Sequence, residues 1–204
     1  MIKDVLQLNG LSVPMLEQLS YRSRLGKSLK QNLHYFGREE LLQELFEMTK
    51  WLSEHVVLDG SALDYRIKSI ESIALKYERY YPNRQVRKVF NDILGFRGFC
   101  DDYQDLIEAE SVVFRTVDMT QGKANDDGYR GVHLYYQKDN FHYPIEVQFN
   151  TLFDRQINNW LHSYLYKKNY PNEIGRELRR QYEEGRIRKR EDFERELNNV
   201  LRAR

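Results

Sequence analysis

Between residues 39 and 57 apolar side chains return every three or four positions, at Leu41, Leu42, Leu45, Phe46, Met48, Trp51, Leu52 and Val56. That is the step of a helix packing one face on a core. The same step begins again after Ser61 and runs through Leu63, Ile67, Ile70, Ile73, Ala74 and Tyr77. It predicts a second helix stopped at Tyr81-Pro82, because proline cannot continue it. The period then changes. Residues 92–100 (DILGFRGFC), 111–117 (SVVFRTV), 129–137 (YRGVHLYYQ) and 141–149 (FHYPIEVQF) are rich in aromatic and β-branched types and partly alternate, which predicts strands. Lys138-Asp139-Asn140 joins the last two as a hairpin, and a polar loop, TQGKANDDG at 120–128, interrupts the sheet. Helical spacing returns over 152–168, and residues 173–204 read as a charged, weakly apolar helical stretch. The pattern predicts an α+β fold: a mixed β-sheet flanked by helices, with helical N- and C-terminal extensions. The expected divisions are an N-terminal helical region (1–60), a sheet domain (61–170) and a helical tail (171–204).

Composition refines this. Of 204 residues 41% are hydrophobic, enough for one sizeable core, while 31% are charged and the mean hydropathy is -0.76. The 32 basic and 31 acidic residues leave a net charge of +1, so a nucleic-acid contact has to come from local segregation of charge. Arg22, Arg24, Lys27, Lys30 and Arg38 fall in a stretch without acids, as do Arg79, Arg84, Arg87 and Lys88, and Lys167 and Lys168 close the last core helix. These stretches read either as an RNA-binding surface or as solvated surface, a protein dock or a self-contact. The single cysteine, Cys100, excludes an internal disulfide and a multi-cysteine zinc site. Residues Met1 to Pro14 lack a basic segment followed by an apolar run, so the expectation is a cytoplasmic protein without a membrane partner.

Candidate chemistry gathers around a few groups. Arg66, Lys68, Lys76 and Arg79, placed on the expected second helix, would make a cationic rail for a polyphosphate, or a solvated face partnered by Glu71 and Glu78. Asp92 opens one expected strand and Glu146 sits inside another between Ile145 and Val147. Together they would hold Mg²⁺ with phosphate oxygens and water, and Glu146 would accept a proton from an attacking hydroxyl. Alternatively Asp92 caps a turn and Glu146 faces solvent. The loop at 120–128 delivers Gly128-Tyr129-Arg130-Gly131-Val132-His133, where Tyr129 would stack on a nucleobase or serve as one more structural tyrosine. There is no Walker pattern or dinucleotide fingerprint.

Four blocks, YRIKSIESIALKYER (65–79), NDILGFRGFC (91–100), DDGYRGVH (126–133) and PIEVQFNT (144–151), occur in an order that resembles the RelA/SpoT-type synthetase family. Its members move pyrophosphate from ATP to the 3′-hydroxyl of a nucleotide. The resemblance spans Tyr65 to Lys168 and implies a nucleotidyltransferase-like sheet, ATP as donor and Mg²⁺ as cofactor. It implies that Arg66, Lys68, Ser72 and Lys76 bind the ATP phosphates, with Arg66 and Arg97 flanking the adenine. Asp92 and Glu146 would hold the metal, Glu146 activating the hydroxyl; Tyr129 would stack on the acceptor base, and Arg130, His133 and Gln148 would surround the acceptor. The family's His-Asp hydrolase domain does not fit beside this in 204 residues, so the chain resembles the small, synthetase-only type. Many such synthetases carry a proline-lysine pair where this chain has Asn125 and Asp126, and an arginine at Asn150. With those departures the chain resembles a toxic branch that modifies the 3′-terminal CCA ribose of tRNA. The preferred acceptor is therefore tRNA, with Lys27, Lys30, Arg84, Arg87 and Lys88 as candidate contacts and an antitoxin as a further partner. Synthesis of (p)ppGpp from GDP or GTP is the alternative. A catalytically inactive nucleotide-binding module is a third, against which Asp92, Glu146 and the Arg66/Lys68 pair stand.

Overall fold

The computed structural model describes residues 2–56, 64–168 and 170–203. The expected helix start at Ser61 and Leu63, the boundary at residue 60 and the Lys167 side chain lie outside the described residues. The chain forms two compact units that alternate along the sequence: Met1–Gly98, Glu108–Thr116 and His133–Gln148 make the first, Phe99–Ile107, Val117–Val132 and Phe149–Arg204 the second. In chain order the elements are α1 (Ile2–Leu8), α2 (Val13–Gln18), a 3-10 turn (Leu33–Tyr35), α3 (Arg38–His55), β1 (Asp64–Ile67), α4 (Ile70–Tyr80), α5 (Val86–Val89) and β2 (Leu94–Phe99). There follow α6 (Gln104–Ile107), β3 (Phe114–Asp118), β4 (Val132–Tyr136), β5 (Ile145–Asn150), α7 (Leu152–Tyr164), a 3-10 turn (Tyr166–Lys168), α8 (Asn172–Glu183) and α9 (Arg190–Arg202). The five strands form one sheet in the order β1-β2-β5-β4-β3.

The first unit holds most of the sheet. Central β5 is buried at every position but Gln148, so Glu146 is 6% exposed and belongs to the interior. Helix α3 buries Leu41, Leu45, Met48 and Leu52, as its spacing requires. It also buries Glu44, whose carboxylate accepts hydrogen bonds from the Tyr143 hydroxyl (2.8 Å) and the Arg24 amide (2.6 Å). Those bonds meet the cost of placing a carboxylate on a packed face. The hairpin at residues 138–140 is fixed by Asp139, whose Oδ1 accepts from the Phe141 amide at 2.7 Å.

One sequence expectation is overturned here. The second helix does not run through Arg66 and Lys68: Asp64–Ile67 is an edge strand paired antiparallel with β2, Arg66 opposite Gly95 and Asp64 opposite Arg97. The helix begins only at Ile70, where Ser69 accepts from the Ser72 amide and caps it. Three exposed residues and a half-buried Ile67 carry too little period to separate strand from helix.

The second unit corrects the reading of the tail. Residues 172–202 are two helices, parted where Gly185 adopts φ 75° and releases the chain from α8. Their apolar faces are fully used: Ile174, Leu178, Tyr182, Phe193 and Leu197 close a core with Ile157, Leu161 and Leu165. A polar cluster lies in the same unit. Asp154 accepts from the Tyr103 hydroxyl (2.6 Å), from Thr151 Oγ1 (3.1 Å) and from Arg179, itself only 4% exposed. Among the described residues no helix is long and apolar enough to cross a membrane.

Candidate active site

Two clusters of the predicted residues form in the first unit. Asp92 lies two residues before β2 and is gripped by two ammonium groups: Lys76, from α4, donates to Oδ1 at 2.9 Å, and Lys68, from the turn after β1, donates to Oδ2. Lys76 also donates to the Val89 carbonyl at 3.1 Å. Burial lowers the Lys68 pKa, against the pull of Asp92. Arg66 projects exposed from β1, Ser72 shares a hydrogen bond with Ser69 (3.1 Å) in the first turn of α4, and Arg97 on β2 faces Asp64 at 3.5 Å. The cationic row therefore comes from a strand, a turn and a helix.

The second cluster surrounds Glu146. On β4 the alternate residues His133 and Tyr135 share a face, as do Glu146 and Gln148 on β5. Glu146 Oε1 accepts from His133 Nδ1 (3.0 Å) and the Tyr135 hydroxyl (2.7 Å), and Oε2 accepts from Gln148 Nε2 (2.6 Å). Burial alone would raise the carboxyl pKa; these three donors outweigh it and bring it down to about 2. Tyr135 was missed in the sequence, although its alternation with His133 was a usable signal. Its own pKa is raised by burial first, then by the Glu146 carboxylate to which it donates.

Tyr129 and Arg130 belong to the second unit. Arg130 Nη1 and Nη2 donate to the two oxygens of Asp126 at 2.7 and 3.1 Å, and Lys123 donates to Asp127 at 2.8 Å while sitting 4.9 Å from the Tyr129 ring centroid. The Arg130 carbonyl accepts from Asn150 (2.8 Å) and Asn158 (2.7 Å). Gly131 passes so near β5 that a Cβ there would stand 2.5 Å from Asn150 Nδ2. The loop is also braced from the tail: Tyr166 donates to the Asp127 carbonyl at 3.2 Å, a Cβ at Gly128 would collide with the Gly175 carbonyl, and one at Gly175 with the Asp127 carbonyl. We expect Gly175→Ala to destabilise the protein by about 1–3 kcal/mol through overcrowding. In an unencumbered helix the same change stabilises by about 1 kcal/mol. A raised denaturation midpoint would show that the loop yields.

The candidate RNA contacts are spread through the first unit. Lys27 donates to the Tyr35 carbonyl at 2.7 Å and Lys30 is exposed. Arg84 and Lys88 line a hollow of about 240 Å³ with Lys76, Tyr80 and Val89. Lys88 and Arg87 line a smaller one of about 120 Å³ with Arg115, Tyr135, Gln137 and Pro144. No acidic residue lines either hollow, and among the described residues none of Arg84, Arg87, Lys88 and Arg115 is ion-paired.

A family model matches the segment that carries both clusters: "Region found in RelA / SpoT proteins" covers residues 65–171. The chain belongs to the RelA/SpoT family and is an ATP pyrophosphokinase of that type. Comparison with the curated proteins finds none that matches. Among solved structures, the chain is similar to small alarmone synthetase 1 from Bacillus subtilis bound to its product pppGpp (20% identity, 81% of this chain and 89% of that one, TM-score 0.43). It is also similar to small alarmone synthetase 2 from Bacillus subtilis (22% identity, 74% and 88%, TM-score 0.43) and to a GTP pyrophosphokinase family protein from Streptococcus pneumoniae (22%, 81% and 88%, TM-score 0.41). The assignment rests on the family model.

Proposed function

We propose that this pyrophosphokinase transfers the β,γ-pyrophosphate of ATP to the 3′-hydroxyl at the CCA end of tRNA, so that the modified tRNA can no longer be aminoacylated. In the step, the acceptor oxygen bonds to the β-phosphorus, the bond from that phosphorus to the α,β-bridging oxygen breaks, AMP leaves and the hydroxyl proton passes to Glu146. Arg66, Lys68, Ser72 and Lys76 hold the triphosphate, and Arg66 and Arg97 flank the adenine. Tyr129 stacks on the acceptor base. Lys68 and Lys76 have the charge and reach to exchange Asp92 for phosphate oxygens.

The donor set suits magnesium. Among the described residues no three His, Cys, Asp or Glu gather as a protein-only metal site, and Mg²⁺ takes one or two carboxylates plus substrate phosphates. Gly95 leaves open the space beside Glu146 Oε2, which a Cβ would approach to 3.6 Å. Asp92 and Glu146 would hold the ion, which when bound neutralises phosphate charge.

The acceptor reading is supported by the cationic hollows around Lys88, one lined also by Lys76 and the other by Tyr135, which suit a ribose-phosphate backbone. The test is where label from [γ-³²P]ATP lands when tRNA and GDP are offered together. Label on tRNA is expected; label on GDP with none on tRNA would establish (p)ppGpp synthesis instead. We further expect Arg84→Gln/Lys88→Gln to weaken tRNA use and to reduce the salt slope of binding by about one per cation removed. An unchanged slope would place the RNA elsewhere.

A further inference from the structure

Residues 120–130, which carry Tyr129, have four charged side chains, and they cancel in pairs. Asp126 takes both Nη groups of Arg130, while Nη1 also donates to the Tyr129 carbonyl at 2.9 Å. The two side chains are only 13% and 19% exposed, so salt and water screen the pair weakly. The Gly128 amide donates to Asp126 Oδ1 at 3.0 Å, and Gly122, at φ 93°, folds the loop so tightly that a Cβ there would stand 2.9 Å from Arg130 Nη1. A guanidinium is the side chain best shaped to fork onto phosphate oxygens. Here its fork is filled from within the loop.

We propose that Asp126 is a specificity-determining residue: by occupying the fork of Arg130 it withholds the loop's guanidinium from the phosphates of a free nucleotide. An acceptor whose 5′ phosphate is a singly charged diester needs no such cation, whereas a nucleoside diphosphate brings about three negative charges to a loop that has none to spare. The proposal rests on the acceptor reading above but is tested apart from it. Asp126→Asn keeps an oxygen for the Gly128 amide and loses the charge that holds Arg130. Asp126→Ser is the second variant, with an oxygen for the same amide and no second oxygen for the fork.

The full chain is assayed with [γ-³²P]ATP, with GDP and tRNA supplied separately, and kcat/KM is measured for each. In Asp126→Asn or Asp126→Ser, kcat/KM for GDP is expected to rise at least about tenfold while that for tRNA does not rise. The gain is expected to vanish when Arg130→Met is added. No rise for GDP in a variant that still labels tRNA overturns the proposal, and so does an equal fall for both acceptors, which would mark the pair as a loop brace only. Wild-type labelling of GDP but not tRNA sinks the acceptor reading; the rise for GDP relative to wild type then still decides the role of Asp126.

Discussion

Glu146→Gln is expected to lower pyrophosphate transfer by about 10³-fold or more while leaving a folded protein. The substitution removes one of the two carboxylates proposed for the ion and the group proposed to take the acceptor proton, and losses of about 4 kcal/mol in transition-state stabilisation correspond to that factor. The fold survives because the amide oxygen still accepts from His133 and Tyr135, leaving a cost on the order of 1 kcal/mol near Gln148. Single-turnover transfer from labelled ATP, beside a thermal melt, checks both halves; unaltered turnover would remove Glu146 from the chemistry. The pH dependence follows in sign. The folded-state pKa of about 2 lies below the ordinary 4.5, so the stabilisation from this carboxylate is present above about pH 4.5 and is lost as pH falls through about 2. The stability gap between wild type and variant should narrow over that window.

Asp154→Ala is expected to cost about 3–5 kcal/mol, the largest stability loss we anticipate. Removing the carboxylate leaves Arg179 buried at 4% exposure with Glu183 as its remaining ionic partner, and takes the acceptor from the Tyr103 and Thr151 hydroxyls. Breaking one half of a buried pair is costlier than never having made it, so Asp154→Leu/Arg179→Met should recover much of the loss. Urea denaturation decides: a cost below about 1 kcal/mol would mean that water reaches the guanidinium.

Much of this protein was legible in its residues, for reasons that differ by element. β4 and β5 announced themselves through aromatic and β-branched side chains buried on both faces, and β2 through the alternation of buried Leu94 and Phe96 with less buried neighbours. α3 did so because eighteen residues repeat one apolar stripe. β1 stayed hidden: an exposed edge strand of four residues is chosen by its pairing with β2, which local spacing does not encode. Likewise Asp126 read only as a departure from the proline-lysine pair of similar synthetases, and only the folded loop shows that Arg130, four residues later, neutralises it. Asp92 and Glu146 were singled out through motifs, whereas Tyr135 lies in none of the four blocks and only its alternation with His133 pointed to it.

The stretch recognised as RelA/SpoT ends at residue 171, and α8, whose Gly175 admits the loop before Tyr129, begins one residue later. A segment cut at the motif boundary and grafted onto another scaffold would carry the signature residues but abandon their buttress. Swaps between relatives that aim to exchange acceptor preference should therefore move residues 120–131 and 172–183 as one cassette.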